Sequence, residues 1–131
     1  MNIFKSTITN IQNLENLNIV NFDFASQKLS MMSLDLGEDI KIGSEVELSA
    51  KSTQIAIAKS FQGELSYSNQ LDAKILSVDN AQLLSCIKLS CGDMICESVI
   101  TKSSSLRMNL QAGDDVKLLI KASELSIIRV L

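Results

Sequence analysis

The chain is written twice. Slid against itself by 70 residues without a gap, it brings Gly43 onto Gly113, Val46 onto Val116, Leu48 onto Leu118 and Lys51 onto Lys121. In the same frame Asn10 falls on Asn80, Gln12 on Gln82, Leu14 on Leu84, Ser33 on Ser103 and Leu36 on Leu106. Conservative pairs lie between them, such as Glu45 with Asp115, Thr53 with Ser123 and Ile57 with Ile127. A repeat at fixed spacing means one supersecondary plan used twice. A copy of about 65 residues has too little interior for its surface. Two such copies are expected to share a core or to associate further. The repeat sets the expected boundaries: a first module over 1–60, a linker over 61–65 and a second module over 66–131.

Each copy reads as strands. Residues 71–79 and 82–90 are rich in Ile, Leu and Val, with the turn-prone pair Asp79-Asn80 near their junction. Residues 93–100 follow the turn Cys91-Gly92-Asp93, and 115–121 and 124–130 complete a set of five. Residues 103–108 predict one short helical turn opened by a serine cap. Gly113, before Asp114-Asp115, predicts a turn with positive φ. In the first copy Glu45-Val46-Glu47-Leu48 and Gln54-Ile55-Ala56-Ile57-Ala58 alternate polar with apolar, the period of a half-buried strand. Five short strands and one helical piece per copy describe an all-β chain of two tandem OB-like five-stranded barrels, each with one short helical turn. The linker is short, so the barrels should touch. Aromatics are only 4% of the 131 residues, with no Trp, so the core must come from Ile, Leu and Val.

Composition narrows the chemistry. There is no His, which removes His-based acid–base catalysis, Ser-His-Asp and Cys-His nucleophiles and mixed Cys/His zinc sites. No nucleophile–base pair or metal cluster is visible, so no catalytic residue, metal ligand or cofactor is expected. Cys86, Cys91 and Cys96 are an odd count with no Cys-x-x-Cys spacing; they read as small buried hydrophobes in a reducing compartment. The first residues lack the apolar run of a signal peptide, and no stretch approaches the ~18 apolar residues of a membrane helix. A cytoplasmic protein without membrane insertion is expected. Twelve basic against fifteen acidic residues give a net charge of −3. That balance, with one Tyr and four Phe, argues against nucleic acid, which wants a basic groove and stacking aromatics.

A more specific signal lies in the second copy. It opens with Ser66-Tyr67-Ser68-Asn69-Gln70 and continues through Val99-Ile100-Thr101-Lys102-Ser103. It then carries Gly113-Asp114-Asp115-Val116 and Ile120-Lys121-Ala122-Ser123. These segments resemble the Mop, or TOBE, family of molybdate-binding domains, whose tandem members include the molbindins and the effector half of a molybdate-responsive regulator. The resemblance implies an OB-like fold that binds molybdate or tungstate at interfaces between modules. It implies ligating groups at Ser66, Thr101, Lys121, Ala122 and Ser123, with Asn69 in the opening motif. At Ser68 the family usually carries Arg, so this chain lacks a planar cation there. In the first copy only Lys51-Ser52-Thr53 keeps the cation-plus-hydroxyl character, and in the frame of 70 Leu29-Ser30-Met31 replaces the Val-Ile-Thr stretch.

The physical reading agrees with that resemblance. A tetrahedral dianion offers acceptor oxygens and no donor, so its site needs hydroxyls, backbone N–H groups and a cation. An acidic chain repels anions at long range, which leaves the work to local donors. The expected function is reversible oxyanion binding for intracellular storage, homeostasis or sensing, in a homo-oligomer (dimer, trimer or hexamer). The alternative is a regulatory or assembly domain that works with a molybdate transporter ATPase or a transcriptional regulator.

Overall fold

The computed structural model describes residues 2–131. The first half contains β1 (Asn2–Leu14), β2 (Leu17–Phe24), β3 (Gln27–Ser33), β4 (Glu45–Ala50), a 3-10 turn over Ser52–Gln54 and β5 (Ala56–Ala58). The second half contains β6 (Asn69–Asn80), β7 (Leu84–Cys91), β8 (Met94–Thr101), the helix α1 (Lys102–Arg107), β9 (Asp115–Ile120), a 3-10 turn over Ala122–Glu124 and β10 (Ser126–Val130). The strands form two five-stranded sheets, so the all-β expectation holds. The helix occurs only in the second half; among the described residues the first half has no counterpart between β3 and β4.

The sheets do not follow the halves. One has the order β10-β4-β1-β2-β3, the other β5-β9-β6-β7-β8. The last strand of each half therefore closes the other half's sheet: Ile127 stands opposite Leu48, and Ile57 opposite Leu118. Alternation in the long strands explains the shared interior. In β1 the residues Phe4, Ser6 and Ile8 face inward while Lys5 faces out, the period-two signature of a half-buried strand. Phe4, Phe22, Leu48, Leu71, Leu89 and Leu118, drawn from both halves, join one hydrophobic cluster. The halves are thus joined by exchanged strands and a common core.

Two asparagines tie the halves together. Asn2 Nδ2 donates to Glu97 O at 3.3 Å, and Glu97 N donates back to Asn2 Oδ1 at 2.8 Å. Asn69 Nδ2 donates to Ser30 O at 2.9 Å, and Ser30 N donates back to Asn69 Oδ1 at 2.6 Å. Each amide thus completes the backbone pairing of an edge strand in the other sheet. Both side chains are buried, and burying an amide is tolerable only with its hydrogen bonds made.

The reciprocal latches expose an error in the frame of 70. Asn2 and Asn69 occupy the same place, 67 residues apart. So do Ile8 and Ile75, whose N–H groups donate to Ser44 O and Asp114 O, each at 2.9 Å, and which precede the same register shift. Likewise Asn13 pairs with Asn18 as Asn80 pairs with Ser85. Only from Gly43 and Gly113 onward does 70 apply. Both glycines have positive φ, 92° and 93°, and donate N–H to Ile8 O and Ile75 O at 2.8 and 2.7 Å. Three extra residues lie between β8 and β9, in the stretch that folds as α1. The upstream matches of the gapless slide, Asn10 with Asn80 through Leu36 with Leu106, are coincidences of composition. Two local expectations are also corrected. The cap of α1 is Thr101, whose Oγ1 accepts from Ser104 N at 3.2 Å, not a serine. Asp79-Asn80 is strand, and the turn falls at Ala81–Leu83 because Ala81 N reaches Leu84 O at 2.9 Å.

Candidate functional site

The strand exchange leaves cavities where one half's 3-10 turn faces the other half's third long strand. The first cavity, about 490 Å³, lies between residues 53–56 of the first half and the end of β8. Thr53, Thr101 and Lys121 line it, with Tyr67, Gln54 and Glu124. Lys121 comes to this place because β9 ends there: its backbone turns out of the strand into the 3-10 turn Ala122–Glu124. Thr101 is placed by the end of β8, paired with Leu84, and by its role as the cap of α1.

The Thr101 hydroxyl is already engaged. It donates to Ser104 Oγ at 3.0 Å, and Arg107 Nη1 stands 3.5 Å from that same oxygen. A ligand accepting from Thr101 would take over a hydroxyl proton that now points to Ser104, a rotation with little cost for a hydroxyl. Behind the wall, Ser98 Oγ donates to Ile55 O at 2.5 Å, which fixes β8 against the first half's turn.

A second cavity, about 310 Å³, lies between residues 31–40 and 123–127 and corresponds in part to the first, with Ser123, Leu125 and Ser126 in the places of Thr53, Ile55 and Ala56. A third, also about 310 Å³, lies where the two 3-10 turns approach each other; Lys51 and Ser123 line it with Gln54 and Glu124. A larger groove of about 580 Å³ carries Glu47 and Asp93 against the single cation Lys5, a poor lining for an anion.

The expected site residues are therefore divided. Thr53, Thr101 and Lys121 meet in the first cavity, and Lys51 and Ser123 in the third. Ser52 and Ala122 begin the 3-10 turns and are half-buried; Ser52 Oγ accepts from Asn2 Nδ2 at 3.3 Å. Ser66 and Ser68 are exposed on either side of Tyr67. Asn69 is fully buried and pairs both amide atoms with the Ser30 backbone, so it ties the halves together beside the cavity.

Sequence reasoning passed over Lys59. Its Nζ donates to Met108 O at 3.2 Å and Asn109 O at 2.8 Å, just beyond α1, and pairs with Asp114 Oδ2 at 3.0 Å. Gln111 N and Lys59 together hold the Asp114 carboxyl below the usual carboxylate range. Lys59 follows the apolar run of β5, and only the strand exchange brings it to α1. Among the described residues no group of three or more His, Cys, Asp or Glu could hold a metal, and no helix is long and apolar enough to cross a membrane.

The fold is thus two interlocked OB-like barrels with cavities between the halves, whose donors Thr53, Thr101 and Lys121 stand on strand ends and turns. Residues 65–127, in the second half, match the family model described as the TOBE domain. No curated protein matches it. Among solved structures it is similar to the cytoplasmic molybdate-binding protein ModG, in a crystal form with molybdate bound. That likeness has a TM-score of 0.89 at 21% identity, over 96% of this chain and 94% of that one. The fold is thus shared from end to end.

Proposed function

We propose that this protein binds a tetrahedral oxyanion, molybdate or tungstate, reversibly and without catalysis, for cytoplasmic storage, homeostasis or sensing. The observation that carries the reading is the meeting of Lys121, Thr101 and Thr53, from both halves, in one cavity of about 490 Å³. An ammonium and two hydroxyls are donors of the kind a fully deprotonated dianion needs, and Tyr67 adds a third hydroxyl. Glu124 in the same lining opposes the ligand, and its charge is offset by Lys121. The molybdate held by ModG, which shares the fold, supports the choice of ligand.

Titration calorimetry with molybdate, tungstate and sulfate tests this. Saturating molybdate should raise stability by about 2.7 kcal/mol at a hundredfold excess over Kd. Lys121→Met should weaken binding roughly 10- to 150-fold, the worth of one charge-assisted hydrogen bond. Absence of heat and of thermal stabilisation with molybdate and tungstate would refute the proposal.

A further inference from the structure

We infer that the two halves have divided their labour: the cavity at Thr101 takes the oxyanion, and the corresponding strand end at Ser33–Asp35 has lost the capacity to do so. This rests on the oxyanion reading above and goes further, because the repeat alone would give equivalent sites.

Strand register identifies the lost groups. Ser33 stands opposite Asn18 as Ile100 stands opposite Ser85, so these two residues are equivalent. The next two positions are Leu34 and Asp35 in the first half, and Thr101 and Lys102 in the second. The hydroxyl that caps α1 and lines the first cavity is thus replaced by Leu34, an exposed apolar side chain. Next to it Asp35, which lines the second cavity, corresponds to Lys102, which does not line the first. The remaining hydroxyl on that strand end is spent: Ser33 Oγ donates to Asp35 O at 2.8 Å and accepts from Asp35 N at 3.3 Å.

The counterpart of Lys121 does not compensate. Lys51 lines the third cavity, with Ser123 and Glu124. In the first cavity the formal charges of Lys121 and Glu124 cancel. In the second, Asp35 stands without a cation in the lining, beside the thioethers of Met31 and Met32. A dianion entering there would meet that carboxylate with no cation in the lining to offset it. The first half's contribution to binding is instead its 3-10 turn, whose Thr53 walls the competent cavity.

The two positions that differ at the strand end are exposed, so they can be changed without disturbing the core. Equilibrium dialysis at saturating molybdate, with bound molybdenum counted per chain, is to be run on the wild type and on the double variant Leu34→Thr, Asp35→Lys. The double variant should hold one more molybdate per chain than the wild type. Adding Ser33→Ala to that variant should leave the gain in place, since Ser33 is occupied locally. Equal counts in wild type and double variant, with a native melting profile in both, would overturn the inference while leaving the proposed function standing. No uptake by either protein would overturn both.

Discussion

At the scale of the residue, burial controls the thiols. Cys91 is pushed up to about 11 by burial, with Asp72 adding to the effect, and Cys96 to about 12 by burial, then by Cys91 and Glu97. Both lie inside the β7–β8 hairpin and stay neutral, while Cys86 is only half-buried. The sign follows from linkage: a group raised in the folded state stabilises fully below its ordinary value, here 9.0, and that contribution is lost as pH climbs through 11 and 12. Denaturant midpoints should therefore fall as pH rises above 9.0, and a thiol reagent at pH 8 should label Cys86 alone until the protein unfolds. Rapid labelling of all three thiols in the native protein would contradict this. The reading of the cysteines as small buried hydrophobes came from their spacing and the odd count. Apolar neighbours in the sequence were enough to show it, because burial of Cys91 and Cys96 follows the same alternation that buries Ile87 and Leu89.

At the scale of the element, the turn that follows α1 is held by a residue from the other half. The helix is capped locally, by Thr101 at its start and by the N–H groups of Met108, Asn109 and Leu110 at its end, but the next carbonyls, Met108 O and Asn109 O, are met by Lys59, and Asp114 holds that lysine in place. Lys59→Met should cost about 1–2 kcal/mol, the worth of the lost carbonyl bonds. It should also flatten the acid limb of stability. A carboxyl lowered in the folded state stabilises above its ordinary value of 3.8 and loses that contribution as pH falls through the lowered one. The Gln111 N–H bond survives in the variant, so the acid dependence should shrink without vanishing. Urea unfolding at pH 7 and pH 3 measures both effects, and an unchanged pH difference would count against the Lys59–Asp114 link. This element also marks where sequence reasoning failed. Strand period, turn glycines and the Gly43–Gly113 match were all legible, because they are local patterns. The three residues added with α1 were not. A gapless comparison cannot see an insertion that folds as a helix, and so Thr101 was aligned with Met31 when its structural counterpart is Leu34.

At the scale of the molecule, the exchange of β5 and β10 makes each half incomplete. The second half supplies β6, β7, β8 and β9 to one sheet and sends β10 to the other, where Arg129 Nε pairs with Glu47 at 3.2 Å. No local pattern in β10 says which sheet it will join; alternation fixes only which face is buried, and both sheets offer an apolar one. The site inherits this ambiguity: Lys121 and Thr101 were recognisable as donors, but Thr53 reaches them only through the exchange. The repeat supplies a test. Because β9 and β4 are equivalent at an offset of 70, a chain of residues 66–131 alone can rebuild the arrangement from two copies, each placing its β10 where β5 now lies against Leu118 and Leu119. That fragment should be a dimer by native mass spectrometry, with a melting temperature that rises with protein concentration, since folding and association are then one event. As a monomer it would leave β9 with an unpaired edge and β10 with no sheet, a loss of cross-strand pairing and burial too large for so small a core. A fragment that melts cooperatively as a monomer, at a temperature independent of concentration, would show that the exchanged strand is dispensable and that the barrels are joined only by their linker.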